Sequence, residues 1–452
     1  MRDLPNDFIS SLSDILDAGE QDEFLHAMRE EEPPVSVRLN QAKPNQGFGD
    51  DMHSVPWAEF GFYLLDRPSF TRDPYFHGGH YYVQEASSML VGEVVRQLVG
   101  GRDNLLALDL CAAPGGKSTH LLDVLGGGSM CILNEMVRSR FNILDDNLGK
   151  WGRRNMIRTS TSAEKLASTG IEFDLILVDA PCSGEGMMRK DPQAVEHWSL
   201  ANVNVCAMRQ RQILTSAHRM LKAGGLLVYS TCTFNKAENE LIGDWLVREY
   251  GYNTVALHCP EGWGLTQRSG QFSEVYAAYP HKVKGEGLCI QVLMKNGEQL
   301  KQSTAIKKKP SLYSKTNGIL SKSSIKPEEW LLDKDSQKVY GFNLDYWQEY
   351  VSIRSVVAGA IPGIRMADLK GKQEVPHHEL ALCVGFNDHF PVVELDMEAA
   401  LSYLRGESIP HDNAVKQGWA VVKYKDCRLG WVKSLPNRLN NYYPKTSRIK
   451  HL

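Results

Sequence analysis

The segment Leu105–Lys117, LLALDLCAAPGGK, decides the fold of this chain. Its pattern predicts an apolar strand, followed by a glycine turn and then by the start of a helix. In open α/β sheets, ligands bind beyond the carboxyl ends of the strands, where the strand order reverses. Gly115 and Gly116 allow the backbone to approach a ligand closely, and the helix start offers free N–H groups to a polar or anionic group. The segment therefore predicts a site for a small polar ligand, with Asp109 at the strand end facing it.

Residues 105–295 around this segment alternate apolar runs with amphipathic runs. The alternation predicts an α/β fold with a parallel, doubly wound sheet. The predicted strands are Leu105–Leu110, Cys131–Asn134, Met156–Ser160, Asp174–Asp179, Gly225–Ser230 and Leu288–Met294. The main predicted helices are Lys117–Leu125, Val137–Leu148, Val205–Leu221 and Lys236–Tyr250.

Two common nucleotide motifs do not fit the glycine turn. APGGKST resembles a phosphate-binding loop, but that motif requires a first glycine where this chain has Cys111. A GxGxxG fingerprint is also absent. Glu135 follows Gly116 by nineteen residues and closes the apolar run CILN, so it is placed to bind ribose hydroxyls. An ordinary surface glutamate is the alternative interpretation.

The composition is that of a globular protein of several domains. At 452 residues the chain has room for roughly three domains of about 150 residues each. Hydrophobic residues make up 42% and charged residues 23%, which is ordinary for soluble proteins. No apolar run approaches the roughly 20 residues that cross a bilayer, and the N-terminus lacks the pattern of a secretory signal. We therefore expect a cytoplasmic protein without a membrane partner.

Charge is distributed unevenly along the chain. The net charge of −3 alone argues against a nucleic-acid partner. Residues 416–452, however, hold nine Lys or Arg against the single Asp426, which is typical of a phosphate-binding flank. The aromatic residues interleaved there can either stack on bases or form the core of a small β-domain. They are Trp419, Tyr424, Trp431, Tyr442 and Tyr443.

Two of the nine cysteines stand out by position. None of the nine lies within four residues of another, so no zinc site is predicted. Cys182 lies in the turn after a buried strand that ends at Asp179, and Cys232 follows another strand that ends at Thr231. Because carboxyl ends of parallel strands share one edge of a sheet, both thiols and the Asp179 carboxylate are expected beside the glycine turn.

Four motifs together resemble the Sun/Nop family of RNA 5-methylcytosine methyltransferases. They occur in order as PYFHGGHYYVQEASSML (74–90), DLCAAPGGKST (109–119), VDAPCSGEGMMRKDP (178–192) and YSTCTFNKAENE (229–240). The closing stretch YKDCRLGWVKSLPNRLNNYYPKTSRI (424–449) resembles the PUA-like domain of bacterial ribosomal RNA enzymes of the RsmF type. The resemblance covers residues 70–295 and, with this closing stretch, nearly the whole chain.

The resemblance implies a fold and a domain order. The fold is α/β, with a Rossmann-like S-adenosylmethionine-dependent methyltransferase core, a small N-terminal α+β domain and a C-terminal PUA-like β-rich domain. We expect an N-terminal RNA-binding or accessory domain over 1–75 and the catalytic domain over 76–298. A Lys- and Ser-rich linker with a first C-terminal segment follows over 299–374, and the PUA-like RNA-binding domain spans 375–452.

The resemblance also implies roles for individual residues. By this resemblance, Cys232 corresponds to the family's nucleophile and Cys182 to the thiol that assists product release. The strand-end positions alone do not distinguish the two thiols. Asp179 resembles a contact to donor and cytosine, and Lys117 and Lys190 can supply positive charge near the thiols, with Lys190 toward the RNA. The implied donor contacts are Cys111, Ala112, Ala113, Pro114, Gly115, Gly116, Lys117, Glu135, Ser162 and Asp179.

The adenine contact departs from the family pattern. The family often has an acidic residue after the third strand, where this chain reads TSTSAEK (159–165). Thr161 or Ser162 occupies that place, so either the backbone makes the contact or Glu164 replaces the acid.

A thiol suits the implied chemistry because carbon 5 of cytosine is too weak a nucleophile to take a methyl group directly. A thiolate that adds to carbon 6 makes carbon 5 enamine-like, and the thiolate forms more readily in an electropositive site. The implied partner is RNA, most plausibly 16S ribosomal RNA or the small subunit, methylated by a monomer without a metal. Transfer RNA as substrate, or a non-catalytic assembly factor that only binds RNA, are the alternatives, and DNA methylation fits least well.

Overall fold

The computed structural model describes residues 3–44, 52–297, 309–314, 318–323, 325–371, 373–386, 389–410 and 415–450. Residues 298–308, which belong to the predicted Lys-rich linker, lie outside this range. Within the described parts, no helix combines the length and the apolar character needed to cross a membrane.

The N-terminal residues form three α-helices and an antiparallel four-stranded sheet of order β2-β3-β1-β4. The elements are α1 (Asn6–Ser11), α2 (Ala18–Glu30), β1 (Val35–Leu39), β2 (His53–Val55), β3 (Ala58–Leu64), α3 (Pro74–His77) and β4 (Tyr81–Val83). The Asp17 carboxylate caps α2 by accepting the N–H of Glu20 at 2.9 Å, as such side chains do at helix starts. Buried Arg38 in β1 pairs with Asp123 at 2.7 Å, which fixes this sheet to the helix that follows the glycine turn.

The central sheet has ten strands and carries the predicted ligand turn. Its main path runs β11-β12-β13-β9-β8-β5-β6-β7-β16, with β10 beside β13. The strands formed by residues 106–294 are β5 (Leu106–Asp109), β6 (Met130–Asn134), β7 (Met156–Thr159), β8 (Phe173–Asp179), β9 (Leu221–Thr231), β10 (Asn253–Thr254), β11 (Thr266–Ser269), β12 (Glu274–Ala278) and β13 (Leu288–Met294). The helices are α4 (Leu90–Val99), α5 (Gly116–Val124), α6 (Arg138–Trp151), α7 (Ala163–Ala167), α8 (Pro192–His197), α9 (Leu200–Met220) and α10 (Glu240–Tyr250).

The strand order places the ligand turn at a reversal point. Strands β5 to β9 are parallel, and the chain leaves β5 through β6 and β7 before it crosses back to β8 and β9. Both faces are buried, by α4 to α6 on one side and by α7, α9 and α10 on the other, as a parallel sheet requires. The predicted strands and helices of this region are confirmed within a few residues. The largest differences are at three starts: α9 begins at Leu200 and not at Val205, β9 at Leu221 and not at Gly225, and α10 at Glu240 and not at Lys236.

The segment that follows residue 308 contributes strands to two sheets. It forms β14 (Trp330–Asp333), β15 (Lys338–Gly341), α11 (Trp347–Val356), β16 (Ile361–Pro362), β17 (Ile364–Lys370) and β18 (Gln373–Pro376). Four of these strands form a sheet of order β14-β15-β17-β18, whereas β16 pairs antiparallel with β7 at the edge of the central sheet. The structure thus shows regular elements over much of the stretch predicted as linker and first C-terminal segment. The domain boundaries themselves stay a prediction.

The C-terminal residues form a third four-stranded sheet of order β19-β20-β21-β22. Its elements are α12 (His378–Leu382), β19 (Val392–Leu395), α13 (Met397–Arg405), β20 (Gly418–Tyr424), β21 (Cys427–Leu435) and β22 (Arg438–Asn441). Trp431, Tyr424 and Tyr443 are buried. Tyr442 is exposed, and its ring meets Trp419 edge-on at 4.5 Å between centroids. The buried aromatics therefore form the core of the small β-domain, whereas exposed Tyr442, with Trp419 beside it, is available to stack on bases.

Candidate active site

A cavity of about 320 Å³ opens at the carboxyl ends of β5, β8 and β9. Its walls include the whole predicted turn 111–117, together with Asp179, Lys190 and Cys232. The structure therefore brings together most of the residues that the sequence selected, although they lie more than 100 residues apart along the chain.

The glycine turn forms one wall of this cavity. Gly115 has a φ of +115°, which favours glycine, and α5 begins at Gly116. Hydrogen bonds to backbone carbonyls hold the turn: Arg140 donates to the oxygen of Ala113 at 2.8 Å, and Asn147 to that of Pro114 at 2.9 Å. A Cβ added at Gly116 would meet the Tyr82 ring at 3.3 Å.

Asp109 offers an unused acceptor beside the turn. Ser118 donates a hydrogen bond to Oδ2 at 2.7 Å, whereas buried Oδ1 has no partner among the described residues. Burial raises the pKa of Asp109 to about 7. An unpaired buried carboxylate oxygen is costly, so this wall fits a ligand that carries a hydrogen-bond donor.

The two selected thiols are in direct contact. The Sγ atoms of Cys182 and Cys232 lie 3.1 Å apart, and both cysteines are free. The hydrogen bond with Cys232, together with burial, raises the pKa of Cys182 well above its ordinary value. Cys182 is therefore a neutral thiol that stands beside the sulfur of Cys232.

Two ion pairs neutralise the lysines near the thiols. Lys117 Nζ lies 2.8 Å from Asp179 Oδ2, and Ser230 donates to Asp179 Oδ1 at 2.8 Å. Burial alone would lower the pKa of Lys117, but the Asp179 carboxylate outweighs it and the pKa is raised. Lys190 pairs with Glu286. Each lysine is thus matched by a carboxylate, and the positive charge expected of both lysines beside the thiols stays a prediction.

Two buried glutamates hold the thiol loops, and the sequence reasoning missed them. Glu238 accepts hydrogen bonds from the Ser183 N–H at 3.1 Å and from Gln210 Nε2 at 2.7 Å. Glu185 accepts the N–H of Phe234 at 2.6 Å. Each glutamate thus belongs to the loop of one cysteine and binds the loop of the other. Both lie inside the quoted motifs, Glu185 in GEGMMRKDP and Glu238 in NKAENE, and an acid within a few residues of a motif cysteine was the available signal.

Neither Glu135 nor Ser162 is among the described residues that line the cavity. Glu135 follows the end of β6, and its carboxylate accepts the N–H of Val137 at 2.8 Å and lies 3.6 Å from Arg140. Ser162 caps α7 by accepting the N–H of Lys165 at 3.2 Å. The Thr161 carbonyl accepts a hydrogen bond from Asn134 at 3.0 Å. The donor contacts assigned to Glu135 and Ser162 stay predictions.

Comparisons with known proteins agree with this geometry. Residues 97–294 match the model of 16S rRNA methyltransferase RsmB/F. Residues 4–86 match the N-terminal domain of 16S rRNA methyltransferase RsmF, and residues 390–449 match the methyltransferase RsmF PUA domain. The ribosomal RNA small subunit methyltransferase F of Shewanella loihica is 30% identical over 98% of this chain and 95% of its own length. The chain belongs to the RsmF family.

Further relatives support the same conclusion. The methyltransferase F of Aeromonas salmonicida is 29% identical over 98% of this chain and 96% of its own. The solved structure of a methyltransferase homologue from Pyrococcus horikoshii is 26% identical and covers 65% of this chain and all of that one, with a TM-score of 0.52. As a member of the RsmF family, the protein is an S-adenosylmethionine-dependent RNA methyltransferase. The predicted family, fold class, enzyme class and donor are confirmed.

We expect Gly116→Val to weaken donor binding. The added side chain must displace Tyr82 or project into the cavity, and overpacking of this kind costs about 1–3 kcal/mol, or about 5- to 150-fold in affinity. Calorimetry with S-adenosylmethionine measures the change. Gly127→Val is the matched control, because a Cβ at Gly127 meets nothing within 4 Å. Unchanged affinity in Gly116→Val would remove the turn from the donor site.

Proposed function

We propose that this RsmF-family chain methylates carbon 5 of one cytosine in 16S ribosomal RNA, with Cys232 as nucleophile and Cys182 as the thiol that assists elimination. The 3.1 Å contact between the two thiols, beside Asp179 and the glycine turn, supports this assignment. A protein that only bound RNA would have no use for two paired thiols at the edge of a donor cavity.

The proposed reaction begins with Cys232. Its thiolate adds to carbon 6 of cytosine, and the electron pair moves to carbon 5. Asp179, which Lys117 and Ser230 hold in place, would accept a hydrogen bond from the exocyclic amine of cytosine as the ring gains charge. S-adenosylmethionine supplies the electrophilic methyl group when it is bound, and the turn 111–117 with Asp109 would hold it.

The reaction ends when Cys232 is released. A base removes the proton from carbon 5, the bond between carbon 6 and sulfur breaks, and Cys232 leaves as a thiolate. The Cys182 sulfur lies 3.1 Å from the sulfur of Cys232, and this contact supports a role for Cys182 in the release step. Methylcytosine, S-adenosylhomocysteine and one proton balance the overall reaction.

The target cytosine must leave its helix for this geometry to work. A thiol and a methyl donor cannot reach carbons 6 and 5 together while the base is stacked and paired. Because bases in loops and at helix ends cost least to unstack, we infer a target that is single-stranded or weakly paired. Action as a monomer stays a prediction, and a ribosomal RNA substrate supports a cytoplasmic location.

Bisulfite sequencing of total RNA from cells with and without the gene tests the proposed substrate. We expect one cytosine of 16S ribosomal RNA to lose its methyl group when the gene is deleted, and to regain it when the gene is restored. Loss of methylcytosine from transfer RNA instead would shift the substrate. No loss from any RNA would favour the binding-only alternative.

The surface of the C-terminal sheet is expected to bind phosphate. Lys433 lies over the Trp419 ring at 5.6 Å, and Arg438 is exposed at the start of β22. We expect Lys433→Gln with Arg438→Gln to weaken binding to 16S ribosomal RNA and to reduce the slope of log affinity against log salt by about 1 to 2, since each lost phosphate contact releases fewer counterions. Filter binding over a series of salt concentrations measures the slope. An unchanged slope would mean that these cations face something other than phosphate.

A further inference from the structure

A second cavity adjoins the catalytic one. It has a volume of about 250 Å³, and Tyr82 and Val83 line both cavities. This volume corresponds to about eight water molecules at roughly 30 Å³ each. We call it the flanking cavity and define it by Arg67, Phe70, Phe76, Tyr81, Tyr82 and Lys150.

Aromatic rings form the inner wall of the flanking cavity. The centroids of Phe70, Phe76 and Tyr81 lie 6.0 to 6.4 Å from one another. Asp73 accepts a hydrogen bond from the Tyr81 hydroxyl at 2.7 Å, which fixes that ring. Phe70 is only half-buried, so part of its ring is open to a ligand. Aromatic walls of this kind bind nucleobases by stacking, largely without regard to sequence.

Positive charge stands at the rim of the flanking cavity. The Arg67 guanidinium is exposed and lies 5.7 Å from the Phe70 ring. Within the described residues no carboxylate forms an ion pair with Arg67. Lys150 Nζ lies 5.4 Å from the Phe76 ring and pairs with Asp146. Rings with an available guanidinium beside them match the base and the phosphate of one nucleotide.

Residues beside the flanking cavity also contact the C-terminal residues. Helix α3, which carries Phe76, binds that sheet through Tyr75, whose hydroxyl donates to Asp426 at 2.7 Å, and through His77, 3.0 Å from the Tyr443 hydroxyl. Asp146, the partner of Lys150, accepts a hydrogen bond from Ser447 at 3.0 Å. These contacts join the wall of the flanking cavity to the C-terminal residues, whose sheet carries the cations expected to bind phosphate.

We propose that the flanking cavity binds a nucleotide adjacent to the target cytosine, with its base against Phe70 and its phosphate on Arg67. The proposal rests on the proposed function, because the adjacent nucleotide is available only when the cytosine is turned into the catalytic cavity. Holding this neighbour would stabilise the unstacked strand and orient the target base toward the thiols.

Cross-linking locates the nucleotide directly. Small subunits purified from cells without the gene are mixed with the full chain and irradiated with ultraviolet light, and reverse transcription reads the cross-linked nucleotide. We expect a stop within two nucleotides of the cytosine that bisulfite sequencing identifies, and a cross-linked peptide from residues 67–82. Attachment of this peptide to a ribosomal protein, or to RNA remote from that cytosine, would overturn the proposal.

Kinetics separates this subsite from the donor site. We expect Phe70→Ala and Arg67→Ala each to raise the KM for these subunits about tenfold, within the range for a lost stacked base, with kcat changed less than twofold. Phe70→Trp should restore the KM, and S-adenosylmethionine affinity should be unchanged in every variant. The matched controls are Phe272→Ala and Arg248→Ala, which remove exposed side chains far along the chain from this cavity.

The outcomes distinguish the two proposals. If the unmodified chain methylates the subunits and the Phe70 and Arg67 variants have the same KM as that chain, the proposal of a nucleotide subsite in the flanking cavity is wrong. The proposed function then stands. If the unmodified chain methylates no cytosine in the subunits, the proposed function fails, and the subsite that depends on it fails as well.

Discussion

Cys232→Ser should lose methylation by more than about 10³-fold, since removal of a covalent nucleophile takes away most of an enzyme's chemical acceleration. A serine hydroxyl is a far weaker nucleophile than a partly ionised thiol at neutral pH. Donor binding should persist, because the predicted donor contacts lie in the glycine turn and do not include Cys232. Transfer of a labelled methyl group to unmethylated small subunits measures the loss.

Cys182→Ala should accumulate the covalent intermediate between the enzyme and RNA, which Cys232→Ser cannot form. Cys232 can still attack and the methyl group can still be transferred, but the enzyme then stays attached to RNA. A denaturing gel should show a slower protein band that disappears after treatment with RNase. The double variant Cys182→Ala with Cys232→Ser should not form this band.

Cys259→Ser is the control for both thiol variants, because Cys259 is a free, half-buried cysteine outside the cavity lining. It should keep full activity and form no adduct. An adduct that accumulates in Cys232→Ser and disappears in Cys182→Ala would transfer the nucleophile role to Cys182. Activity in both single variants without an adduct would exclude covalent catalysis.

Glu379→Ala should lower the free energy of unfolding by about 3–5 kcal/mol, the cost of breaking a buried ion pair. Arg158, whose side chain is fully buried, donates to both oxygens of Glu379 at 3.0 and 3.1 Å. Arg365 donates its N–H to the same carboxylate at 2.8 Å. Without Glu379, Arg158 keeps two partners among the described residues, Asp145 and the Gly363 carbonyl.

Urea denaturation of the full chain measures this change. Arg405→Ala is the control, because the pair between Arg405 and Glu407 lies on the surface, where ion pairs contribute little; the urea midpoint should not move. A Glu379→Ala midpoint equal to that of the unmodified chain would show that Arg158 finds another partner.

The same carboxylate predicts a response to acid. Burial would raise the pKa of Glu379, but Arg158 and Arg365 outweigh burial and hold it well below its ordinary value. A carboxyl group with a lowered folded-state pKa stabilises the protein above its unfolded-state pKa, about 4.3 for Glu. That stability is lost as the pH falls below this value toward the folded-state pKa. Glu379→Gln should lack this part of the acid dependence.

The sequence predicted the donor turn and the thiols because their signals are local. The run from Leu106 to Asp109 is a buried strand that ends at a glycine turn, and Cys182 and Cys232 follow strands of the same kind. The parallel sheet then brings all three strand ends to one edge. The choice between the two thiols came from the motif resemblance alone.

What the sequence did not predict depends on contacts between distant segments. The contact of Glu185 with Phe234 and that of Glu238 with Ser183 join loops about 50 residues apart. The carboxylate partners of Lys117 and Lys190 likewise come from other strands and loops. Hydrophobic periodicity and motif spacing describe one helix or strand at a time. They could not show that carboxylates from other segments would pair with the lysines, or which aromatic residues of the C-terminal sheet would be buried.

The pairing of β16 with β7 affects the order in which the chain can mature during its synthesis. Arg158 in β7 leaves the ribosome 221 residues before Glu379. Until then the growing polypeptide has an open sheet edge at β7 and a guanidinium that awaits burial, and open edges invite pairing with other chains. The central sheet is therefore complete only after β16 and Glu379 have been synthesised. A recombinant fragment that stops at the last catalytic motif should be prone to aggregation, so expression boundaries belong after α12.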